Sequence, residues 1–329
     1  MILWVGCTVR GGAETQYSAA MHVFVARIGA AHTVDQPVDA FERLAAADRF
    51  GEHRLTPDPA QAAVVLFTQC HMVDSRLRAL REHPVARKHW EKVMVFDERD
   101  RPWRSFPGVY VNARARGFDA RSQRAWGYLG APNTPSPSPD PDLLFSFVGS
   151  ATAPCRRPLF ELDHPAAIVE EVRDFTFWDV ASPGYEGLWA RYREILGRSR
   201  FVLCPRGRGT STFRLYEALG AGRVPVIISD EWVAPPGPDW DACSLRWPEG
   251  RTDGLVKLLE ERDRVWPAMS SAATTAHSTF FSPEVTFHRV IELCRELRET
   301  GSGPVSALRV RSRSLAAALR ERSVTLRSG

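Results

Sequence analysis

The sequence predicts an α/β fold in two domains, and three observations predict it. Short apolar runs that suit buried strands recur at residues 2–7, 63–68, 93–96, 143–148, 201–203 and 224–228. Helical patterns lie between most of them, and strands alternating with helices point to βαβ units on parallel sheets. Pro132, Pro135, Pro137, Pro139 and Pro141 interrupt the chain near its middle. Such a segment cannot be a helix or a central strand, and 329 residues suffice for about two domains. The expected division is a first domain over 1–130, a linker over 131–142, a second domain over 143–283, a closing helix over 284–300 and a basic tail over 301–329.

The composition is that of a globular protein, 44% apolar and 25% charged. A net charge of +4 gives no general attraction for nucleic acid, so none is expected as a partner. The six cysteines are scattered and form no CxxC pair, which argues against a zinc site and for reduced, buried thiols. Residues 1–7 are too short and lack the basic lead of a signal peptide, and no run approaches 18 apolar residues. A cytoplasmic protein is therefore the expectation. The tail carries Arg309, Arg311, Arg313, Arg320, Arg322 and Arg327 against Glu321. It reads either as a surface helix in peripheral contact with an anionic membrane or as a disordered basic tail.

In chain order, a strand over 2–7 leads to a loop with Gly11 and Gly12, then a helix from Tyr17 to Ile28. Arg10, Glu14 and His22 are candidates there for acceptor contact or for a base, against solvated loop residues. A helix over 39–50 and a strand over 63–68 follow, with Gln69, Cys70 and His71 at the strand's end. Residues 77–90 are helical apart from Pro84, which divides them. The strand over 93–96 ends in Asp97-Glu98-Arg99-Asp100. A carboxylate at a strand end suits a base that takes a proton from a hydroxyl, so Asp97 and Asp100 are the candidate catalytic residues. The alternative is a charged turn that Arg99 and Arg101 neutralise. A strand over 109–112 precedes a basic stretch, Arg114 to Arg124, which reads as an anionic-acceptor surface or a solvated face.

The second half opens with a strand over 143–148 and a helical region after Arg156 and Arg157. Phe175, Phe177 and Trp178 are core or ligand-facing. A helix over 185–197 leads into the stretch that organises the chain, Ser199 to Asp230. An apolar run is followed by Cys204-Pro205-Arg206, then Gly207, Gly209, Thr210, Ser211 and Thr212, then a helix from Phe213 to Ala221 that Gly222 stops, then a second apolar run ending at Asp230. This is one βαβ unit, with its glycine loop at the strand's carboxyl end where α/β sheets bind ligands. A helix N-terminus there suits phosphate, and Arg206, Arg208 and Arg214 add fixed positive charge. Glu217 shares a helix face with Arg214 and is placed to accept from ribose hydroxyls. The stretch reads as a seat for a sugar nucleotide, or as an ordinary βαβ unit with solvated arginines. It contains neither GxGxxG nor GxxxxGK[ST]. Helices over 252–264, 266–280 and 283–300 complete the chain, after a loop in which Trp232 or Trp240 would pack on a sugar.

This half resembles the exostosin family of glycosyltransferases. The resemblance rests on LFSFVGS at Leu144 to Ser150, CPRG at Cys204 to Gly207, SxFRLYEAL at Ser211 to Leu219, GRVPVIISD at Gly222 to Asp230, WVAPPGPDW at Trp232 to Trp240 and SLRWPEG at Ser244 to Gly250. It implies an inverting transferase of GT-B type, two facing Rossmann-like domains with a cleft between them, moving a sugar from a nucleotide donor, with UDP expected, to a glycan or small-molecule hydroxyl. Carried over by position, Arg206 and Arg214 would hold the diphosphate and Glu217 the ribose. Gly207, Gly209, Thr210, Ser211, Arg156 and Asp230 join the expected donor-binding set. The family's membrane anchor has no counterpart in this sequence, which therefore resembles a soluble bacterial member. No cofactor is expected, since the nucleotide sugar is a substrate. No metal is expected either. Asp140-Pro141-Asp142 lies in the linker and Asp239-Trp240-Asp241 in a loop, and arginines with a helix dipole would stabilise the departing nucleotide. The alternatives are a catalytically silent module that binds a glycan or partner, and a nucleotide-sugar epimerase or dehydrogenase, for which Gly11-Gly12 supplies no fingerprint.

Overall fold

The structure is a computed structural model that describes residues 20–28, 36–68, 77–131, 134–136, 140–173 and 184–301. It is a mixed α/β protein built on two parallel sheets. The first carries β1 (His22–Ala26), β2 (Arg54–Leu55), β3 (Val64–Phe67), β4 (Val93–Asp97), β5 (Gly108–Tyr110) and β6 (Gln123–Ala125), in the order β2-β1-β3-β4-β5-β6. The second carries β7 (Leu143–Gly149), β8 (Ala167–Glu171), β9 (Ser199–Pro205), β10 (Val224–Ile228) and β11 (Leu245–Arg246), in the order β11-β10-β9-β7-β8. The helices are α1 (Gln36–Ala46), α2 (Arg78–Glu82), α3 (Pro84–Lys88), α4 (Tyr185–Arg198), α5 (Phe213–Gly220), α6 (Trp240–Cys243), α7 (Leu255–Asp263), α8 (Trp266–Ala276) and α9 (Pro283–Gly301).

Both sheets are covered on both faces, as parallel sheets require. In β4, Met94 and Phe96 enter one core with Phe41, while Val93 and Val95 enter another with Leu80 and Ala86. In β9, Val202 and Cys204 pack with Ile195 and Leu215, while Phe201 and Leu203 pack with Leu255 and Leu259. Pro84 divides α2 from α3, as its missing N–H requires. Gly222 has φ +64, a left-handed backbone that a side chain would strain, and α5 ends two residues before it. Cys155, Cys204, Cys243 and Cys294 are free and buried.

Several elements differ from what the sequence predicts, among them β2 and α6, which it does not announce. Where a helix was expected from Tyr17 to Ile28, residues His22–Ala26 form β1, because Val23 and Val25 are β-branched and the strand is paired on both sides. His22 consequently stands at the amino end of β1, away from the carboxyl ends of the strands. The basic stretch contains β6, and Arg124 turns to Glu296, with Nε 2.9 Å from Oε2. β8 was unforeseen. The expected strand over 2–7, Arg10, Glu14, residues 69–71, Phe175, Phe177, Trp178 and the tail beyond 301 lie outside the described residues.

The final helix belongs to the first sheet. Phe287, Val290, Ile291 and Leu297 of α9 share a core with Val23, Leu66 and Phe96. Arg298 donates to the Ala63 carbonyl, and Arg49 N–H donates to the Glu284 carbonyl. The chain thus leaves the first sheet, builds the second and returns. Among the described residues, no helix is long and apolar enough to cross a membrane.

Phe287 is fully buried and stacks edge-on with Phe41 at 5.4 Å. Phe287→Ala is expected to destabilise the protein by about 3–5 kcal/mol in urea unfolding. A loss under about 1 kcal/mol, the range of a surface change, would place α9 outside the core.

Candidate functional site

The carboxyl ends of the two sheets meet. Asn112, just beyond β5, accepts through Oδ1 from Ser211 N–H at 2.8 Å. Thr210 Oγ1 donates to the Ala113 carbonyl at 2.8 Å, and Ala115 N–H donates to the Glu231 carbonyl at 2.9 Å. The approach is close because residue 209 is glycine: a Cβ there would stand 2.2 Å from Asn112 Oδ1. Phe213, at the start of α5 and exposed, stacks on Tyr128 at 3.7 Å.

On the second-sheet side, β9 delivers Arg206 and Gly207, and the loop to α5 carries Gly209, Thr210 and Ser211. Thr212 precedes α5 in an extended conformation and makes no side-chain cap; of the first turn's N–H groups, that of Leu215 turns back to the Thr212 carbonyl at 3.2 Å. Arg214 lies on that turn and is 7% exposed. Its Nη2 donates to the Val148 carbonyl at the end of β7, and the guanidinium lies between the rings of Phe147, at 4.9 Å, and Tyr192, at 5.6 Å. Nε and Nη1 are buried with no hydrogen-bond partner among the described residues. Buried donors in this state call for an acceptor.

The other expected donor residues are engaged within the protein. Arg206 Nε lies 2.7 Å from Glu249 Oε1, and Asp230 joins the same group, its Oδ1 accepting from Glu249 N–H at 3.1 Å. Glu249 went unassigned in the sequence reading. Arg156 gives Nε to the Arg206 carbonyl at 2.8 Å, Nη1 to Ser150 at 3.0 Å and Nη2 to Pro205 at 3.2 Å, so it ties the ends of β7 and β9. Burial, then the neighbouring Arg214, lower its pKa to about 10. Glu217 is 2% exposed and accepts from Tyr192 OH at 2.5 Å. It is not open to a ribose in this arrangement. Burial, then Glu217, hold the Tyr192 hydroxyl well above its usual pKa, so it stays a donor. Arg208 is exposed. Of the two tryptophans expected near a sugar, Trp232 is buried in the core, and half-buried Trp240 packs edge-on against it at 5.0 Å.

On the first-sheet side, Asp97 is fully buried. Arg99 Nη2 lies 2.6 Å from its Oδ2, Arg99 Nε lies 2.9 Å from its Oδ1, and Arg99 N–H donates to Oδ1 at 3.0 Å. A carboxylate so held is a structural ion pair rather than an accessible base, which corrects the expectation for Asp97. Asp100 is exposed on the turn. Between them stands Glu98, which the sequence reading passed over. Its Oε1 accepts from Leu129 N–H at 2.9 Å, and its carbonyl accepts from Asn112 Nδ2 at 3.2 Å. Burial, opposed by the Leu129 bond and aided by Asp97, raises its pKa from 4.5 to about 7. Strand alternation was the available signal: Asp97 follows Val93 and Val95 to one face, so Glu98 follows Met94 and Phe96 to the other.

One member of each of the DPD and DWD pairs has a protein partner. Asp142 lies 2.6 Å from Arg198 Nη2, and Asp239 caps α6 through Ala242 N–H at 3.1 Å. Glu52, His53 and His288 come together elsewhere, beside α9. His53 Nδ1 there accepts from Met21 N–H at 3.2 Å, so Nε2 carries the proton that faces Glu292 at 2.7 Å. That leaves neither nitrogen of His53 a lone pair for a cation.

The arrangement thus offers an anion seat at the start of α5 and a protonatable carboxyl across from it. A family profile described as the Exostosin GT47 domain matches residues 71–261, more than half of the chain. Among curated proteins, the chain is similar to the Exostosin-1 homolog of Caenorhabditis elegans, 34% identical over 106 residues, which is 31% of this chain and 28% of that protein. It is also similar to Exostosin-1 of Drosophila melanogaster, 42% identical over 62 residues (18% of this chain, 8% of that protein), and to Exostosin-1a of Danio rerio, 50% identical over 95 residues (25% and 13%). The chain therefore spans less than a third of the length of these relatives.

Removing Arg99 would leave Asp97 charged and unpaired in the interior. Arg99→Ala is expected to cost about 3 kcal/mol in urea unfolding, whereas Asp100→Ala, on the exposed turn, is expected to stay within about 0.5 kcal/mol. Equal, small effects would overturn the structural role given to Asp97.

Proposed function

The chain belongs to the exostosin GT47 family, and on that premise we propose that it is a glycosyltransferase that moves a sugar from a nucleoside diphosphate donor to a hydroxyl acceptor. The observation that carries the reading is Arg214. A guanidinium with two buried nitrogens that have no hydrogen-bond partner among the described residues, in the first turn of a helix that lacks a side-chain cap, suits a diphosphate. The meeting of the two sheets at their carboxyl ends supports a GT-B arrangement, with the donor on the second sheet and the acceptor on the first.

The reading extends to an inverting displacement without a metal, and to UDP as the nucleotide. The acceptor oxygen attacks the anomeric carbon from the face opposite the diphosphate, and the α5 dipole with Arg214 stabilises the negative charge that leaves. Arg206 and Asp230 act as a pair fixed by Glu249, which shapes the rim of the seat. Arg156 holds the strand ends that carry the seat. Glu217 reaches a ribose only where Tyr192 gives way, and otherwise fixes Tyr192 against the Arg214 guanidinium.

Calorimetric titration in EDTA tests this. UDP and its sugars are expected to bind the unaltered protein more tightly than GDP. Arg214→Lys, which keeps the charge and loses the forked geometry, is expected to weaken binding by about 10–100-fold, the worth of one or two charge-assisted hydrogen bonds. Absence of binding by any nucleoside diphosphate would remove the donor seat, and binding restored only by a divalent cation would remove the metal-free mechanism.

A further inference from the structure

We propose that Glu98 is the general base of the transfer, taking the proton of the acceptor hydroxyl; this deepens, and rests on, the glycosyltransferase reading above. Four features of its placement lead there. It follows directly on β4, so it stands at the carboxyl end of a central strand of the first sheet. Leu129 N–H fixes Oε1 at 2.9 Å, and Oε2 has no hydrogen-bond partner among the described residues. One oxygen is therefore held in place while the other is open to a proton.

The third feature is distance from the proposed leaving group. A single side chain, Asn112, joins the Glu98 carbonyl at 3.2 Å to Ser211 N–H at 2.8 Å. Ser211 lies two residues before α5, where the diphosphate would sit. Tyr128, next to Leu129, stacks on Phe213 at the start of the same helix. Glu98 is thereby held on the opposite side of the junction from the donor seat. In-line displacement needs its base on that side.

The fourth feature is the contrast with its neighbours. Asp97 is locked in its pair with Arg99, and Asp100 is exposed on the turn. Glu98 alone of the three is partly withdrawn from water yet unpaired. The groups that bear on its charge are Asp97, which disfavours ionisation, and the Leu129 amide, which favours it. Tyr128 and Asp100 complete the neighbourhood, and Arg99 is taken up by Asp97. A carboxyl poised near pH 7 takes a proton at neutral pH and can release it again, whereas one near 4.5 is a much weaker base.

The step balances. The acceptor O–H proton passes to Glu98 Oε2 while the acceptor oxygen bonds to the anomeric carbon. The bond from that carbon to the diphosphate oxygen breaks, and its electron pair leaves with the nucleoside diphosphate. Release of the proton to solvent returns Glu98 to its starting state.

The first readout needs no substrate. The Glu98 carboxyl keeps its proton up to about pH 7 in the folded protein and to about 4.5 in the unfolded chain. The native state therefore binds the extra proton between those values, and this contribution to stability is full below about pH 4.5 and lost as pH rises through about 7. Glu98→Gln, which keeps the acceptor for Leu129 N–H, is expected to remove that decline. The wild-type-minus-variant difference cancels the opposite slope of half-buried His277 and buried His288. The second readout is donor binding by calorimetry and UDP release from UDP-glucuronate, UDP-galactose and UDP-xylose, with water and simple glycosides as acceptors. Glu98→Gln is expected to bind donor as the unaltered protein does and to lose about 10²–10⁴-fold in turnover. The wild-type kcat/KM is expected to rise through about pH 7, and the residual variant rate to lose that limb. Donor binding with Glu98→Gln turnover within about threefold of wild type would overturn the base assignment and leave the donor seat standing, and so would donor binding with no turnover by either protein. No donor binding by the wild type would overturn both. An unchanged pH dependence of stability in Glu98→Gln would overturn the poised carboxyl independently of either.

Discussion

The close approach at Asn112 and Gly209 is the constraint on which the rest depends. Asn112 accepts from the backbone of the second sheet's loop and donates to the backbone of the first sheet's turn. One amide thus sets the separation between α5 and the end of β4. Any side chain at 209 would enter the space of that amide, so the glycine serves contact between the sheets rather than contact with a ligand. Gly207 differs: a Cβ there would meet Arg156 Nη2 at 3.4 Å and Thr152 Oγ1 at 3.6 Å, close to ordinary contact. The glycines of one loop therefore do different physical jobs, and only the neighbours of each tell them apart.

The return of α9 gives that contact its rigidity. The helix lies over the first sheet while its preceding turn, His277–Phe281, places Phe281 against Trp126 at 5.0 Å and Tyr216 at 5.1 Å. Trp126 follows β6 and Tyr216 lies on α5, so one aromatic ring touches both halves. Apolar packing here and hydrogen bonds at Asn112 hold the same junction by independent means.

Local pattern explains what was legible in the sequence. β9, α5 and β10 announce themselves because strand, glycine loop, helix and strand follow within 32 residues, and each has its own composition signal. Pro84 and Gly222 act through their own backbones, so their effects need no distant partner. The missed features are non-local. His22–Ala26 has five residues of either period, and pairing with β2 and β3 decides it. β6 hides in a run of arginines because its inward neighbours, not its own residues, make it a strand. Asp97 and Glu98 are adjacent acids in sequence, and only the face each takes separates a buried ion pair from an open carboxyl. Arg206 was read as a free cation because Glu249 is 43 residues away.

Charge balance at the junction follows from the same burial. Arg206 is neutralised by Glu249, and each nitrogen of Arg156 donates to a carbonyl, so of these three arginines Arg214 is the one with buried nitrogens that lack a partner among the described residues. Arg214 also pushes against Arg156, whose pKa falls for that reason as well as through burial. Two like charges this close in a poorly solvated place are unfavourable until an anion arrives. In the reading proposed, the diphosphate relieves that repulsion and fills the unmet hydrogen bonds at once. As the bond to the sugar breaks, charge builds on the oxygens that face Arg214. On that reading the attraction would be stronger in the transition state than in the bound donor, and that difference would lower the barrier.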